Sequence, residues 1–209
     1  MSSGAPANLL EWAREVQAIS QNGLAFTRDP FDRARYEQLA ELVSALLAAH
    51  LQIARGEAVA LWAAERGYAT PKVDVRGGVF ADDRVLLVRE RTDGRWTLPG
   101  GWADVNDAPS EAVAREICEE SGYQARAVKL AALVDKNRHP HPPGVYHIYK
   151  LFFVCELTGG SPAASSETDA VDFFPVHALP PLSTGRVLAP QIERLYRHWL
   201  EPGLPTDFD

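Results

Sequence analysis

The most constraining feature of this sequence is a glycine pair, Gly100-Gly101, followed after a short loop by a helix rich in glutamate. Pro109 suits the first turn of that helix and Gly122 suits its C-terminal stop. Three glutamates share one helix face, at positions i, i+3 and i+4: Glu116, Glu119 and Glu120. Like charges at this spacing repel one another, so a compensating cation is expected.

A hard divalent cation is the compensating group that this pattern favours. Mg²⁺ takes oxygen ligands from a few carboxylates and completes its shell with water and substrate phosphate. A glycine pair allows the backbone to approach a ligand closely and to offer a carbonyl oxygen. The competing interpretation is a solvated acidic helix face, which is common in glutamate-rich helices. The neighbouring glycines favour the metal–phosphate interpretation.

Helical periodicity dominates the first third of the chain. Apolar residues recur at helical spacing over Leu9–Ile19, and Asn22-Gly23 is expected to end this helix. A second helix, capped by Asp29, is predicted over residues 30–50. A third, short helix is predicted to end at Arg66-Gly67. Residues 1–67 are therefore expected to form a small α-helical domain.

After residue 67 the pattern changes to short β-prone segments separated by turn signals. Strands are predicted over 73–80, 85–89, 96–98, 128–134, 149–157 and 171–176, and an amphipathic helix over 192–200. Helices and strands alternate, so residues 68–209 are expected to form an α/β or α+β sandwich. Hydrophobic residues make up 46% of the chain, which is enough apolar material for such a core.

The charge balance argues against several classes of binding partner. Net charge is −7 and the basic residues are not gathered into one block, so adhesion to DNA or to an anionic membrane is not expected. No apolar stretch approaches the roughly 20 residues of a membrane span. The N-terminus, Met1 to Pro6, lacks a secretory leader pattern, and two cysteines make no disulfide framework. A cytoplasmic protein is the expectation.

The glycine–helix segment resembles the Nudix box: Gly, five residues, Glu, seven residues, then Arg-Glu-apolar-any-Glu-Glu-any-Gly-apolar. The matching positions are Gly101, Arg115, Glu116, Ile117, Glu119, Glu120, Gly122 and Tyr123. Chance agreement at the invariant positions is on the order of one in 10⁵. Asp107 replaces the first box glutamate and is one methylene shorter. Its contact with Arg115 is therefore expected to be tuned and not lost.

The resemblance extends over residues 68–200, and the N-terminal helices resemble the extension of CDP-choline pyrophosphatase-like members of the family. It implies a Nudix-type α/β/α sandwich with a mixed sheet, residues 68–209, preceded by the helical domain, residues 1–67. It also implies Mg²⁺-dependent cleavage of the diphosphate linkage in a nucleoside diphosphate derivative, with Mn²⁺ as a substitute. The attacking group would be a water molecule that the metal activates.

The resemblance also implies roles for individual residues. The implied metal ligands are the Gly100 carbonyl and the side chains of Glu116, Glu119 and Glu120. Arg115 is implied to orient Glu116. The catalytic base is left open between Glu116 and Glu119, and Glu167, in a later loop, is a further acidic candidate. The alternative for Glu167 is a solvated loop residue.

Basic residues near the implied site are candidates for binding substrate. They are Arg89 and Arg91, before the glycine turn, and Lys136, Arg138 and His139, in the loop 135–146. Cationic groups beside a diphosphate would offset its charge. The competing interpretations are exposed strand-end arginines and a mobile surface loop. Trp102 and Tyr146 are expected to pack rather than to stack on a base, and Cys118 to pack as a small hydrophobe.

The leading hypothesis is a Nudix hydrolase of small nucleotides, with CDP-choline or a related CDP-alcohol as first substrate and ADP-ribose next. Two alternatives stay open. A nucleotide-sensing Nudix protein that binds without cleaving would need a DNA-binding module, and an RNA-end-directed hydrolase is disfavoured by the net charge. The apolar faces of the N-terminal helices need a partner, so a homodimer is expected.

Overall fold

The computed structural model describes residues 9–63 and 65–209, so the segment Met1 to Pro6, on which the leader prediction depends, lies outside the described residues. The chain divides into two compact units. The first comprises the residues up to Pro71 together with residues 143–147, and the second comprises Lys72–Pro142 and Ile148–Asp209. The first unit thus extends past residue 67 and includes a short later segment. None of the described helices is long and apolar enough to cross a bilayer.

Three helices form the first unit: α1 (Leu9–Phe26), α2 (Pro30–Leu51) and α3 (Arg55–Ala63). The Asp29 carboxylate caps α2, because its Oδ1 accepts hydrogen bonds from the backbone N–H groups of Phe31 and Asp32 at 2.8 and 2.9 Å. The buried residues of the unit are Leu10, Ala13, Val43, Leu47, Ala48, Ala58 and Trp62. Tyr146 packs against them, as predicted, and its hydroxyl donates to the Leu61 carbonyl at 2.7 Å.

The prediction that Asn22-Gly23 ends the first helix is wrong, because α1 continues to Phe26. A Cβ atom on Gly23 would lie 2.4 Å from the ring of Tyr36, so the glycine lets the two helices approach closely at this point. Asn22 accepts a hydrogen bond from the Ala69 N–H at 2.7 Å. Tertiary contacts therefore outweigh the cost of a glycine inside a helix, about 1 kcal/mol.

The second unit contains a seven-stranded sheet flanked by two helices. Its elements are β1 (Lys72–Ala81), β2 (Arg84–Glu90), β3 (Trp96–Thr97), α4 (Pro109–Ser121), β4 (Tyr123–Asp135), β5 (Ile148–Gly160), β6 (Thr168–Pro175), α5 (Ala189–Leu200) and β7 (Asp207–Phe208). The strand order is β3-β2-β1-β5-β4-β7, and β6 pairs with β2. β1 and β5 are parallel whereas β4 and β5 are antiparallel, so the sheet is mixed. The short strand β7 was not predicted.

The two helices of this unit pack on opposite faces of the sheet. On one face, Val75 and Val79 of β1 form a cluster with Val113 and Ile117 of α4. On the other face, Phe80 of β1 belongs to the cluster that contains the buried side chains of α5. This alternation along β1 is the period-two pattern of a strand buried on both sides. The expected α/β/α sandwich is confirmed. Cys118, by contrast, is exposed on α4, so its predicted packing role is wrong.

Candidate active site

The glycine turn is fixed to strand β1 by its carbonyl groups. Three of them accept hydrogen bonds: Leu98 from Arg76 Nη1 at 3.1 Å, Pro99 from the Gly77 N–H at 2.9 Å and Gly101 from the Val75 N–H at 2.8 Å. Gly100 has φ +142°, and a Cβ there would lie 2.0 Å from the Val75 carbonyl oxygen, so only glycine fits. Within the described part of the chain no group donates to the Gly100 carbonyl, which leaves that oxygen available to a ligand.

Two of the three box glutamates converge on this turn. Glu120 is 5% exposed, and its Oε2 accepts a hydrogen bond from the Gly100 N–H at 2.9 Å. The Glu116 carboxylate lies against Gly101, where a Cβ atom would come within 2.9 Å of its Oε2. Glu119 differs, because its side chain is 59% exposed. Glu116, Glu120 and the Gly100 carbonyl therefore form a compact group of oxygen donors.

Burial makes these carboxylates unusual acids. The pKa of Glu120 is raised to about 7, mainly by desolvation and also by the neighbouring charge of Glu116, whereas Arg76 and the Gly100 N–H oppose the shift. Desolvation also raises the pKa of Glu116, partly offset by Arg115. Adjacent buried carboxylates of this kind are typical of functional sites. Their oxygens, with an unused carbonyl, fit a hard divalent cation.

Arg115 compensates the negative charge around the turn. Its guanidinium contacts four carboxylates: Asp104 and Asp107, each at 3.2 Å, Glu116 at 3.0 Å and Glu119 at 2.9 Å. Asp107 therefore reaches the arginine although it is shorter than the usual glutamate. Among residues 9–63 and 65–209, no three His, Cys, Asp or Glu side chains are already arranged around one metal position.

The site is part of an open cleft of about 630 Å³. Its lining comprises Arg76, Glu90, Gly100, Gly101, Trp102, Asp104, Arg115, Glu116, Glu119, Glu120, Ser165, Ser166, Glu167 and Arg186. The cleft thus brings Glu167 together with the box residues. The Thr168 hydroxyl holds this loop by donating to the Glu120 carbonyl at 2.6 Å. Trp102 lines the cleft and is 48% exposed, so its packing role stays a prediction.

The five basic residues predicted to bind substrate do not line this cleft. Arg89 pairs with Asp169 at 2.6 Å, and the Arg91 guanidinium donates to the Ser165 carbonyl at 3.2 Å. His139 lies 3.1 Å from a carboxylate oxygen of Asp209, and Lys136 and Arg138 belong to a short 3₁₀ helix, Lys136–Arg138. A role for these five residues in binding substrate stays a prediction.

A buried charge network beside the cleft was missed by the sequence reasoning. Arg76 donates to both carboxylate oxygens of Asp74 at 3.0 and 2.9 Å, and Lys150 donates to Asp74 Oδ1 at 2.6 Å. Burial would raise the pKa of Asp74, but the two cations together hold it below its usual value. For Lys150, burial lowers the pKa to about 8 despite Asp74. The available signal was the presence of charged residues inside two strands that are otherwise largely apolar: Asp74 and Arg76 in β1 and Lys150 in β5.

Comparison with known proteins identifies the family. Residues 71–195 match the NUDIX domain, and residues 7–62 match the "UDP-X-like, N-terminal oligomerisation domain". This chain belongs to the Nudix hydrolase family. The resemblance read from the box is therefore confirmed, together with the N-terminal extension.

Three Nudix relatives match between two thirds and nearly all of the chain. A "Putative ADP-ribose pyrophosphatase" of Bacillus subtilis is 43% identical over 96% of both chains. A crystal structure of a UDP-X diphosphatase is 33% identical, with TM-score 0.63, over 96% of this chain and 98% of that one. An ADP-ribose pyrophosphatase of Streptococcus suis is 38% identical, with TM-score 0.62, over 67% of this chain and 100% of that one.

The buried network yields a stability prediction. Asp74→Asn leaves Arg76 and Lys150 buried without a carboxylate and is expected to lower the free energy of unfolding by about 3–5 kcal/mol. Lys150→Met leaves the Asp74–Arg76 pair intact, so we expect it to cost less than half as much. Urea denaturation at pH 7, followed by circular dichroism, measures both losses. A loss for Lys150→Met equal to or above that for Asp74→Asn would contradict this account.

Proposed function

We propose that this Nudix hydrolase cleaves the diphosphate linkage of a small nucleoside diphosphate derivative. The observation that carries the proposal is the convergence of Glu116, Glu120 and the unused Gly100 carbonyl within an open cleft. The cleft volume, about 630 Å³, lies within the usual range for sites that hold a small molecule. A diphosphate brings its own negative charge, so an acidic cleft of this kind needs a cation to bind it.

Mg²⁺, with Mn²⁺ as a substitute, is the cation that we assign to Glu116, Glu120 and the Gly100 carbonyl. When bound, such an ion neutralises diphosphate charge and acidifies a water molecule for attack on phosphorus. Arg115 holds Glu116 in place, and Glu119, now paired with Arg115, would serve either as a further ligand of the ion or as an acceptor for the proton of water. Glu167 is the second cleft carboxylate that we assign as a candidate acceptor for that proton.

The relatives determine which substrates to test first. The two proteins that match nearly the whole chain are named for ADP-ribose and for UDP-X. We therefore rank ADP-ribose and UDP-linked compounds ahead of CDP-choline, which was the first choice from sequence alone. The cytoplasm is the compartment that we assign, because Cys118 and Cys155 are both free thiols.

The activity test is hydrolysis of ADP-ribose, UDP-glucose, CDP-choline and nucleoside triphosphates with Mg²⁺ or Mn²⁺. We expect metal-dependent release of nucleoside monophosphate from at least one diphosphate derivative. Glu120→Gln should lower kcat by at least about 100-fold, because the amide still accepts from the Gly100 N–H but no longer offers a charged ligand. Glu156→Gln is the matched control, since Glu156 lies on the surface and pairs with Arg126.

Two results would contradict the proposal. One is a Glu120→Gln variant as active as the unchanged protein. The other is no hydrolysis of any compound in the panel while nucleotide binding is retained, which would favour the nucleotide-sensing alternative.

A homodimer formed through the N-terminal helices is the assembly that we propose. Residues 7–62 match a domain described by its role in oligomerisation. In the structure, Leu42 and Leu46 lie one turn apart on α2 and are 59% and 44% exposed, and Trp12 and Ile19 of α1 are 55% and 52% exposed. Large apolar side chains exposed together on helix faces are typical of protein–protein contacts.

The assembly prediction is tested by the introduction of negative charge on this apolar surface. Leu42→Glu combined with Leu46→Glu should convert the dimer to a monomer, because the burial of two carboxylates in an apolar contact is costly. Leu157→Glu is the control, since Leu157 is 46% exposed on β5 of the other unit. Light scattering after size exclusion measures the mass. A monomeric unchanged protein, or a double variant that stays dimeric, would contradict the proposal.

A further inference from the structure

Three arginines line the cleft, and two of them are already committed to other groups. Arg76 is 4% exposed and donates to Asp74 through Nε and Nη2 and to the Leu98 carbonyl through Nη1. Arg115 is surrounded by the four carboxylates described above. Arg76 cannot turn towards an incoming anion without leaving Asp74 unpaired. Arg115 has an Nη2 group that makes no hydrogen bond, but the four carboxylates around it repel an anion.

Arg186 has a different set of partners. Its Nη1 donates to the Ser183 hydroxyl at 3.0 Å and lies 3.5 Å from Asp93, and its Nη2 donates to the Thr92 hydroxyl at 3.1 Å. Two of these acceptors are neutral, so a phosphate can replace them with a gain in charge pairing. One Nη2 proton has no acceptor among the described residues. The side chain is also 31% exposed, which leaves it within reach of a ligand.

Glu90 fixes the direction of this guanidinium. Its Oε1 lies 2.8 Å from Arg186 Nε, and the residue is only 5% exposed. Glu90 is the last residue of β2, and its backbone N–H donates to the Arg95 carbonyl at 2.9 Å. The contact therefore comes from a residue anchored in the sheet. Arg186 is preorganised by a carboxylate at its Nε edge, and its Nη groups face two hydroxyls and, at 3.5 Å, the carboxylate of Asp93.

We propose that Arg186 binds the diphosphate of the substrate and meets the charge on the leaving phosphate. The inference rests on the proposed function for the reaction: a water oxygen forms a bond to phosphorus, the bridging P–O bond breaks and its electron pair stays on the leaving phosphate. The proton of water goes to a cleft carboxylate. A guanidinium at the leaving phosphate stabilises the charge that develops there. Arg186 would act in addition to the metal ligands and to Arg115.

The test measures binding separately from turnover. Calorimetry with Mg²⁺ present would record the Kd of α,β-methylene-ADP and α,β-methylene-UDP, which carry a diphosphate that cannot be hydrolysed at the bridge. We expect Arg186→Gln to weaken binding of the probe with the higher affinity by about 10- to 100-fold. The Kd for Arg186→Lys should fall between those of the unchanged protein and of Arg186→Gln. Lysine keeps the positive charge but loses the planar guanidinium, which can donate two parallel hydrogen bonds. Arg126→Gln, on the surface of β4, is the control of equal charge change.

A second measurement separates a binding role from a structural one. Mn²⁺ binding in the absence of nucleotide should be unchanged in Arg186→Gln, because Arg186 contacts none of the assigned metal ligands. If a panel substrate is hydrolysed, its kcat/KM should fall by at least the factor seen in binding. Weaker probe binding in a protein that hydrolyses nothing would keep the binding role of Arg186 and would remove both the proposed reaction and the role at the leaving phosphate.

Three results would overturn the proposal. The first is unchanged probe affinity in Arg186→Gln or, if that variant does not fold, in Arg186→Lys. The second is a loss confined to Arg89→Gln, which would restore the sequence-based candidate. The third is failure of the unchanged protein to bind either probe at millimolar concentration.

Discussion

The hydrogen bonds that join residues 98–101 to β1 are the constraint on which the rest of the site depends. They use the carbonyls of Leu98, Pro99 and Gly101 and leave the Gly100 oxygen without a donor. They also force a backbone conformation, φ +142°, that a side chain would not tolerate against Val75. The Gly100 N–H then meets Glu120. Because β1 is central in the sheet, the turn is as rigid as the core beneath it.

The second constraint on the cleft is the balance between its acidic residues and its arginines. Six of its lining residues are acidic and three are arginines, so the protein alone leaves the site negative. Each arginine has a different environment: Arg76 is buried against Asp74, Arg115 is shared among four carboxylates, and Arg186 combines the carboxylates of Glu90 and Asp93 with two hydroxyls. Buried charges of this kind stabilise a fold weakly, because desolvation offsets their attraction. Their arrangement is explained better by a polyanionic ligand and a cation than by stability.

The spacing of residues within the glycine–helix segment was enough to predict the part of the site that this one segment forms. The box helix, its glycine stop and the convergence of Glu116 and Glu120 on the turn follow from spacing within some twenty residues. The Asp74–Arg76–Lys150 network could not be predicted from local spacing, because Asp74 and Lys150 meet only through the parallel register of β1 and β5. The Glu90–Arg186 contact similarly depends on a loop far along the chain. The first helix continued past Gly23 because the ring of Tyr36 packs there, a contact that periodicity cannot show.

The most direct test of the account is Mn²⁺ binding to the full chain, measured by electron paramagnetic resonance. The central claim is that Glu116 and Glu120, with the Gly100 carbonyl, hold the cation. We expect the unchanged protein and Glu156→Gln to bind Mn²⁺ alike, and Glu116→Gln and Glu120→Gln each to bind at least about 10-fold more weakly. Equal Mn²⁺ affinity in all four proteins would contradict the claim, because the ion would then lie elsewhere.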